Sequence, residues 1–206
     1  RCPFWLSLVR SSTMGEGAVP EPPEGACPPG GAPSPELGVT EEHAASLAED
    51  GYAIVDGFLG DAHAVALREE ALAFAHSGRM PAHRFQFGSS LFVKPNIFEA
   101  DLHDPSMQEA LPGFAEQLFD DALAHALTAR LPALALTPGP GAKSVKVQHN
   151  RGSGGCFPLH YDNGGPPSRR AVTCVVYLNP GWCEGDGGEL VLHPFLQPEV
   201  VVPPLL

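Results

Sequence analysis

From residue 143 onward the chain consists of short apolar runs cut apart by glycine, proline and asparagine, and this punctuation constrains its fold more than any other feature. "GAKSVKVQHN" reads as a strand, "RGSGG" as a turn, and residues 156–162, 171–178 and 188–193 as three further strands. Upstream the pattern is helical. Thr40 is a fitting N-cap for "EEHAASLAED", and Gly51 follows Asp50 where such a helix would close. "YAIVDGF" predicts a strand. Asp61 predicts the cap of a second helix, whose Ala64, Leu67, Leu72 and Ala75 fall on one apolar stripe. A third helix is expected over residues 106–130, with Pro112 near its first turns. Helices first and short strands afterwards predict an α+β chain, with helices packed on an antiparallel sheet or barrel. No internal repeat is visible.

A length of 206 residues accommodates one domain of ordinary size, or one domain and a tail. Residues 1–38 include "SSTMGEGAVPEPPEGACPPGGAPSPELG", which is dense in Pro and Gly and nearly free of large apolar groups. Such a segment cannot offset its ordering entropy by burial, so a disordered leader is expected before a domain at 39–206. Twelve Lys and Arg against twenty-four Asp and Glu leave a net charge of −12, which repels phosphate backbones and argues against nucleic acid as a partner. The five cysteines are odd in number and form no C-x-x-C pair, which suits a reducing, intracellular compartment such as cytoplasm or nucleus. No apolar run approaches the length of a membrane span, and "FWLSLV" is too short for a signal-peptide core. The chain opens on Arg1 and reads as a partial translation, with Met14 as a candidate start.

His160 and Asp162 stand one residue apart. On a strand they would project to the same face, with Tyr161 turned away. Imidazole and carboxylate on one face, joined by a second imidazole as third ligand, are the ligand set of non-haem Fe(II) oxygenases, whose open positions admit a chelating co-substrate and O₂. An isolated H-x-D is weak evidence, and context decides it. "HYDN", "RRAVTCVVYLN" and "GGELVL" follow one another in order, behind "LAEDGYAIVDGFLGDAHAVALREEALAFAHSGRM". Over residues 40–206 this succession resembles the Fe(II)- and 2-oxoglutarate-dependent dioxygenases of the prolyl 4-hydroxylase-like group, which includes the oxygen-sensing prolyl hydroxylases.

The resemblance implies a double-stranded β-helix, or jelly roll, braced by N-terminal helices. It implies Fe(II) at His160 and Asp162, with 2-oxoglutarate as co-substrate, O₂ as oxidant and ascorbate as a supporting reductant. It places Tyr177 at 2-oxoglutarate and Arg170 near the substrate entrance, with Asn150 a pocket residue beside the co-substrate. The plainer readings are a barrel aromatic for Tyr177 and a solvated pair for Arg169 and Arg170. The implied reaction hydroxylates a C–H bond, foremost that of a prolyl residue in a protein or peptide. The alternatives are an oxygenase acting on a small molecule and a jelly-roll binding module without chemistry.

The resemblance also implies a distal histidine and a basic residue on late strands. His193 is the only histidine after Asp162, but it ends the "GGELVLHPF" run, where the group carries no ligand. After Arg170 there is neither Lys nor Arg. The expectation is therefore a domain incomplete at its C-terminus and inactive alone, with His193 outside the ligand set. His43, His63, His76 and His125 read as surface or packed helix residues, and His83 and His103 fall in stretches that read as irregular. His149 is a strand residue expected to face the barrel, and Cys156 and Cys174 read as buried small apolar groups. "RGSGG" lacks a phosphate loop's lysine, and no nucleophile elbow occurs.

Overall fold

The computed structural model describes residues 4–11, 38–163 and 169–205. Phe4–Ser11 forms β1, although these residues were expected in a disordered leader; residues 12–37 of that leader lie outside the described residues. A run as apolar as "FWLSLV" can pair on both sides once a sheet offers two open strands, and β1 does so. Helix α1 (Glu41–Glu49) starts as expected. The Thr40 hydroxyl accepts from His43 N at 3.3 Å and His43 Nδ1 accepts from Thr40 N at 3.1 Å, a capping box in which imidazole replaces the usual carboxylate. Gly51, at φ +84, follows the helix.

"YAIVDGF" forms no strand. It runs as irregular chain into a turn in which Gly57 adopts φ +63, a left-handed conformation that interrupts a ladder. Gly60, not Asp61, is the N-cap of α2 (Asp61–His76), and Asp61 sits in its first turn. Of the expected stripe, Ala64, Leu67 and Ala75 are buried, together with Ala71 and Phe74, and Leu72 packs partly against them.

A hairpin follows where only irregular chain was expected: β2 (Ala82–Phe87) and β3 (Ser90–Asp101), joined over Gly88 and Ser89. The expected helix over 106–130 is three: α3 (Pro105–Ala110), α4 (Pro112–Phe119) and α5 (Ala122–Arg130). Pro112 forces the first break, because it has no N–H and drives Leu111 out of the helical region, to φ −134 and ψ 62. Asp120 makes the second by accepting from Ala122 N at 2.8 Å, a local bond that competes with helix continuation.

The remaining strands are β4 (Lys143–Asn150), β5 (Arg170–Tyr177), β6 (Leu190–Leu192) and β7 (Val200–Val202). The expected strand at 156–162 is irregular, since Pro158 cannot donate to a ladder and a glycine-rich turn precedes it. Five strands pair antiparallel in the order β2-β3-β4-β1-β5, and β6 and β7 pair separately. β1 thus lies between β4 and β5, with Ser7 opposite Lys146 on one side and Val175 on the other.

One sheet face carries the core. Val145 and Val147 of β4 are buried against Leu67, Ala71 and Phe74 of α2 and Phe114 and Leu118 of α4, and Cys174 and Val176 of β5 pack on the same cluster. Alternation along a strand therefore gives the opposite face to Lys146, Gln148 and Asn150 of β4 and to Thr173, Val175 and Tyr177 of β5. The described residues contain no helix long and apolar enough to cross a membrane.

Candidate metal centre

The route from β4 to His160 is a tight loop held by Asn150. Its Nδ2 donates to Gly155 O at 2.8 Å, and its Oδ1 accepts from Gly152 N at 2.9 Å. Gly152 and Gly154 lie at φ +72 and +89, and a Cβ on Gly155 would collide with Asn150 Oδ1. Asn150 had been expected at the co-substrate; in the structure both ends of its amide engage this loop.

Past the loop, His160 Nδ1 bonds Pro158 O at 2.7 Å. A carbonyl oxygen only accepts, so Nδ1 carries the ring hydrogen, and neutral imidazole presents its Nε2 lone pair. That Nε2 lies 3.3 Å from Asp162 Oδ1, while Tyr161 projects outward and is 92% exposed. The two side chains converge as expected, although from irregular chain and not from a strand. Asp162 is clamped by β5: Thr173 Oγ1 donates to Oδ2 at 2.6 Å, and Arg170 Nη1 reaches Oδ1 at 3.0 Å. Asn163 Nδ2 in turn donates to Arg170 O at 2.8 Å, which ties the loop to the start of β5. The glycines after Asn163 lie outside the described residues.

Neutral imidazole and carboxylate thus turn two acceptors toward each other, an arrangement reconciled by a cation or by a second proton on the ring. An imidazole nitrogen and a carboxylate oxygen are donors that Fe(II) takes, and the backbone bond at Nδ1 is the kind of support that fixes a metal-ligating ring. The residues fit a metal. Nearby, Phe157 joins this pair to a polar cluster that sequence reasoning missed. Its ring centroid lies 6.4 Å from that of His160 and 5.4 Å from that of His83, and Lys94 Nζ stands 3.2 Å from it. Burial lowers the Lys94 ammonium below its ordinary pKa, while Cys156 and Glu99 oppose that shift. Glu99 is the hub: its carboxylate meets His83 Nδ1 at 3.0 Å, Lys146 Nζ at 2.7 Å and Gln148 Nε2. Tyr177, on the Thr173 face of β5, has its phenol pushed up to about 12 by burial, so it stays protonated and can donate.

Residues 145–204 match the family model of the 2OG-Fe(II) oxygenase superfamily. A solved structure of a prolyl 4-hydroxylase from Phytophthora capsici is 39% identical, with a TM-score of 0.70 over 81% of this chain. In sequence and fold the chain is similar to the prolyl-hydroxylase-like 2OG-Fe(II) oxygenases. It spans about half (52%) of the length of that solved chain. No curated protein matches it significantly.

The matched range contains His160, Asp162, Arg170 and Tyr177. His193 lies apart from that pair: its Nδ1 is 3.8 Å from Glu199 Oε2, and no group of three potential ligands occurs among the described residues. Cys156 is exposed, contrary to the buried position expected of it, and Cys174 is half-buried against the core.

Proposed function

We propose that this protein is an Fe(II)- and 2-oxoglutarate-dependent dioxygenase that hydroxylates a prolyl residue of a protein, on a double-stranded β-helix braced by the α1–α5 layer. The observation that carries the reading is the pair His160 Nε2 and Asp162 Oδ1, 3.3 Å apart, within a segment that matches an Fe(II) oxygenase model. Bound Fe(II), with 2-oxoglutarate, O₂ and ascorbate as reductant, supplies the oxidising chemistry, and 2-oxoglutarate leaves as succinate and CO₂.

The residues supply position. Pro158 O holds the His160 ring in the tautomer whose Nε2 can ligate. Thr173 and Arg170 fix the Asp162 carboxylate from β5, where it would hold the metal together with His160, and Arg170 would border the entrance used by the peptide. Tyr177 donates its phenolic hydrogen to the 2-oxoglutarate carboxylate, a role supported by its face of β5 and its protonated state. Asn150 serves the site through the loop it closes.

The test is formation of succinate and hydroxyproline by the natural protein, given Fe(II), ascorbate, 2-oxoglutarate and a proline-containing peptide. His160→Ala and Asp162→Ala should each abolish both products, and turnover retained in both variants sinks the reading. The 206-residue chain assayed alone is expected to release no succinate, because no third protein ligand joins the pair among the described residues. Succinate release that His193→Ala removes would make His193 the third ligand.

A further inference from the structure

A second cavity lies on the helix-covered side of the sheet. Its volume is about 530 Å³, and its lining is Arg68, Leu72, His76, His149 and Arg151. The first three are spaced i, i+4, i+8 on α2 and so share one helix face. His149 is on the same face of β4 as Val145 and Val147, and Arg151 follows the end of that strand. Strand alternation puts this wall opposite the face that carries Thr173, the residue bonded to Asp162. The cavity is therefore not an annex of the metal centre.

Its charge is anomalous for this molecule. In a chain of net charge −12, two guanidinium and two imidazole groups line one cavity, with no carboxylate among its described lining residues. Two of these groups are held in place: Arg68 Nη1 donates to Leu178 O at 3.0 Å, and the Arg151 guanidinium stacks 4.2 Å from the Phe98 ring centroid. Burial first, and then Arg151, His76 and Arg68, hold the His149 imidazole down at a pKa of about 4. Two guanidinium groups converging on one cavity favour an anion there. Planar guanidinium forks suit the paired oxygens of a phosphate group, and imidazole adds directional N–H donors.

We propose that the cavity between α2 and the end of β4 is an oxyanion site for a phosphate group, held by Arg68, His76 and Arg151 with His149 at its floor. The group comes either as free inorganic phosphate or as a phosphomonoester, and the two sources are separable. Isothermal titration of the full chain with inorganic phosphate, O-phosphoserine and succinate, each at ionic strength matched with NaCl, is the test. Saturable binding of inorganic phosphate is expected, weakened at least tenfold in Arg151→Gln and further in Arg151→Gln/His76→Gln. Arg84→Gln, an exposed arginine on β2, should bind as the parent does. Both altered residues are exposed, and circular dichroism checks that the variants fold. Phosphoserine binding with the same dependence assigns a carried phosphate group, and its failure to bind assigns the free ion. The proposal is overturned if the double variant binds phosphate like the parent, if NaCl alone reproduces the heat, or if succinate binds equally well with the same variant dependence.

Discussion

At the scale of single residues, the candidate metal centre depends on groups that aim other groups. His160 can ligate through Nε2 because Pro158 O occupies Nδ1, and Asp162 is held by two residues of β5. Cobalt(II) titration of the chain, followed by visible absorption, should show a site that His160→Ala and Asp162→Ala each remove. Gly155→Ala should weaken that site without touching a ligand, since its Cβ meets Asn150 Oδ1 and the loop must shift. Unchanged cobalt affinity in Gly155→Ala would separate the loop from the site. Tyr177→Phe should raise the KM for 2-oxoglutarate by about ten- to a hundredfold, because one hydrogen bond to a charged carboxylate contributes about 1.5–3 kcal/mol. An unaltered KM would remove Tyr177 from the co-substrate. The approach of His160 to Asp162 was legible in sequence because the two are two residues apart. The Thr173 clamp and the Glu99 cluster were not, because strand pairing and the return of the chain bring those partners together, and no local pattern records them.

At the scale of elements, legibility followed the source of each element's stability. Helices α1 and α2 were readable from a cap and an apolar stripe, both local devices. The 106–130 segment kept its helical character, but Pro112 and Asp120 cut it. The hairpin was missed although Gly88 and Ser89 separate two strand-forming runs, because its register breaks between Ala82 and Arg84 and Asn96 adopts φ 59. β1 had no local signal against a disordered leader beyond its apolar run, since what orders it is two open neighbours. Its place makes a sharp prediction. Proline at Ser7 removes a ladder donor from a strand paired on both sides, and Ser7→Pro should cost on the order of 2–4 kcal/mol in urea unfolding. Ser7→Thr, which keeps the N–H, should cost far less. Equal stability of the two variants would mean that β1 does not bridge β4 and β5 in solution.

At the scale of the whole molecule, the sheet separates two electrostatic environments. One face carries acids and bases that neutralise one another around Glu99, with the His160–Asp162 pair beside them; the other gathers cations against the helix layer. The second arrangement costs stability in acid, and the sign follows from His149. Its ordinary pKa of 6.5 falls to about 4 in the fold, chiefly through burial and then through Arg151, His76 and Arg68. Between these values the unfolded chain takes up a proton that the folded chain refuses, so the unfolded state binds more protons and stability falls as pH falls. The contribution is fully present above pH 6.5, and its loss is complete near pH 4. Its slope in that window is at most about 1.4 kcal/mol per pH unit for one proton. Urea unfolding at a series of pH values should therefore steepen below pH 6.5 in the parent and flatten in His149→Gln, whose side chain does not titrate. Inorganic phosphate should flatten the parent's slope as well, because an anion among the arginines lowers the cost of a charged His149. A His149→Gln slope identical to the parent's across this window would place the acid sensitivity elsewhere in the chain.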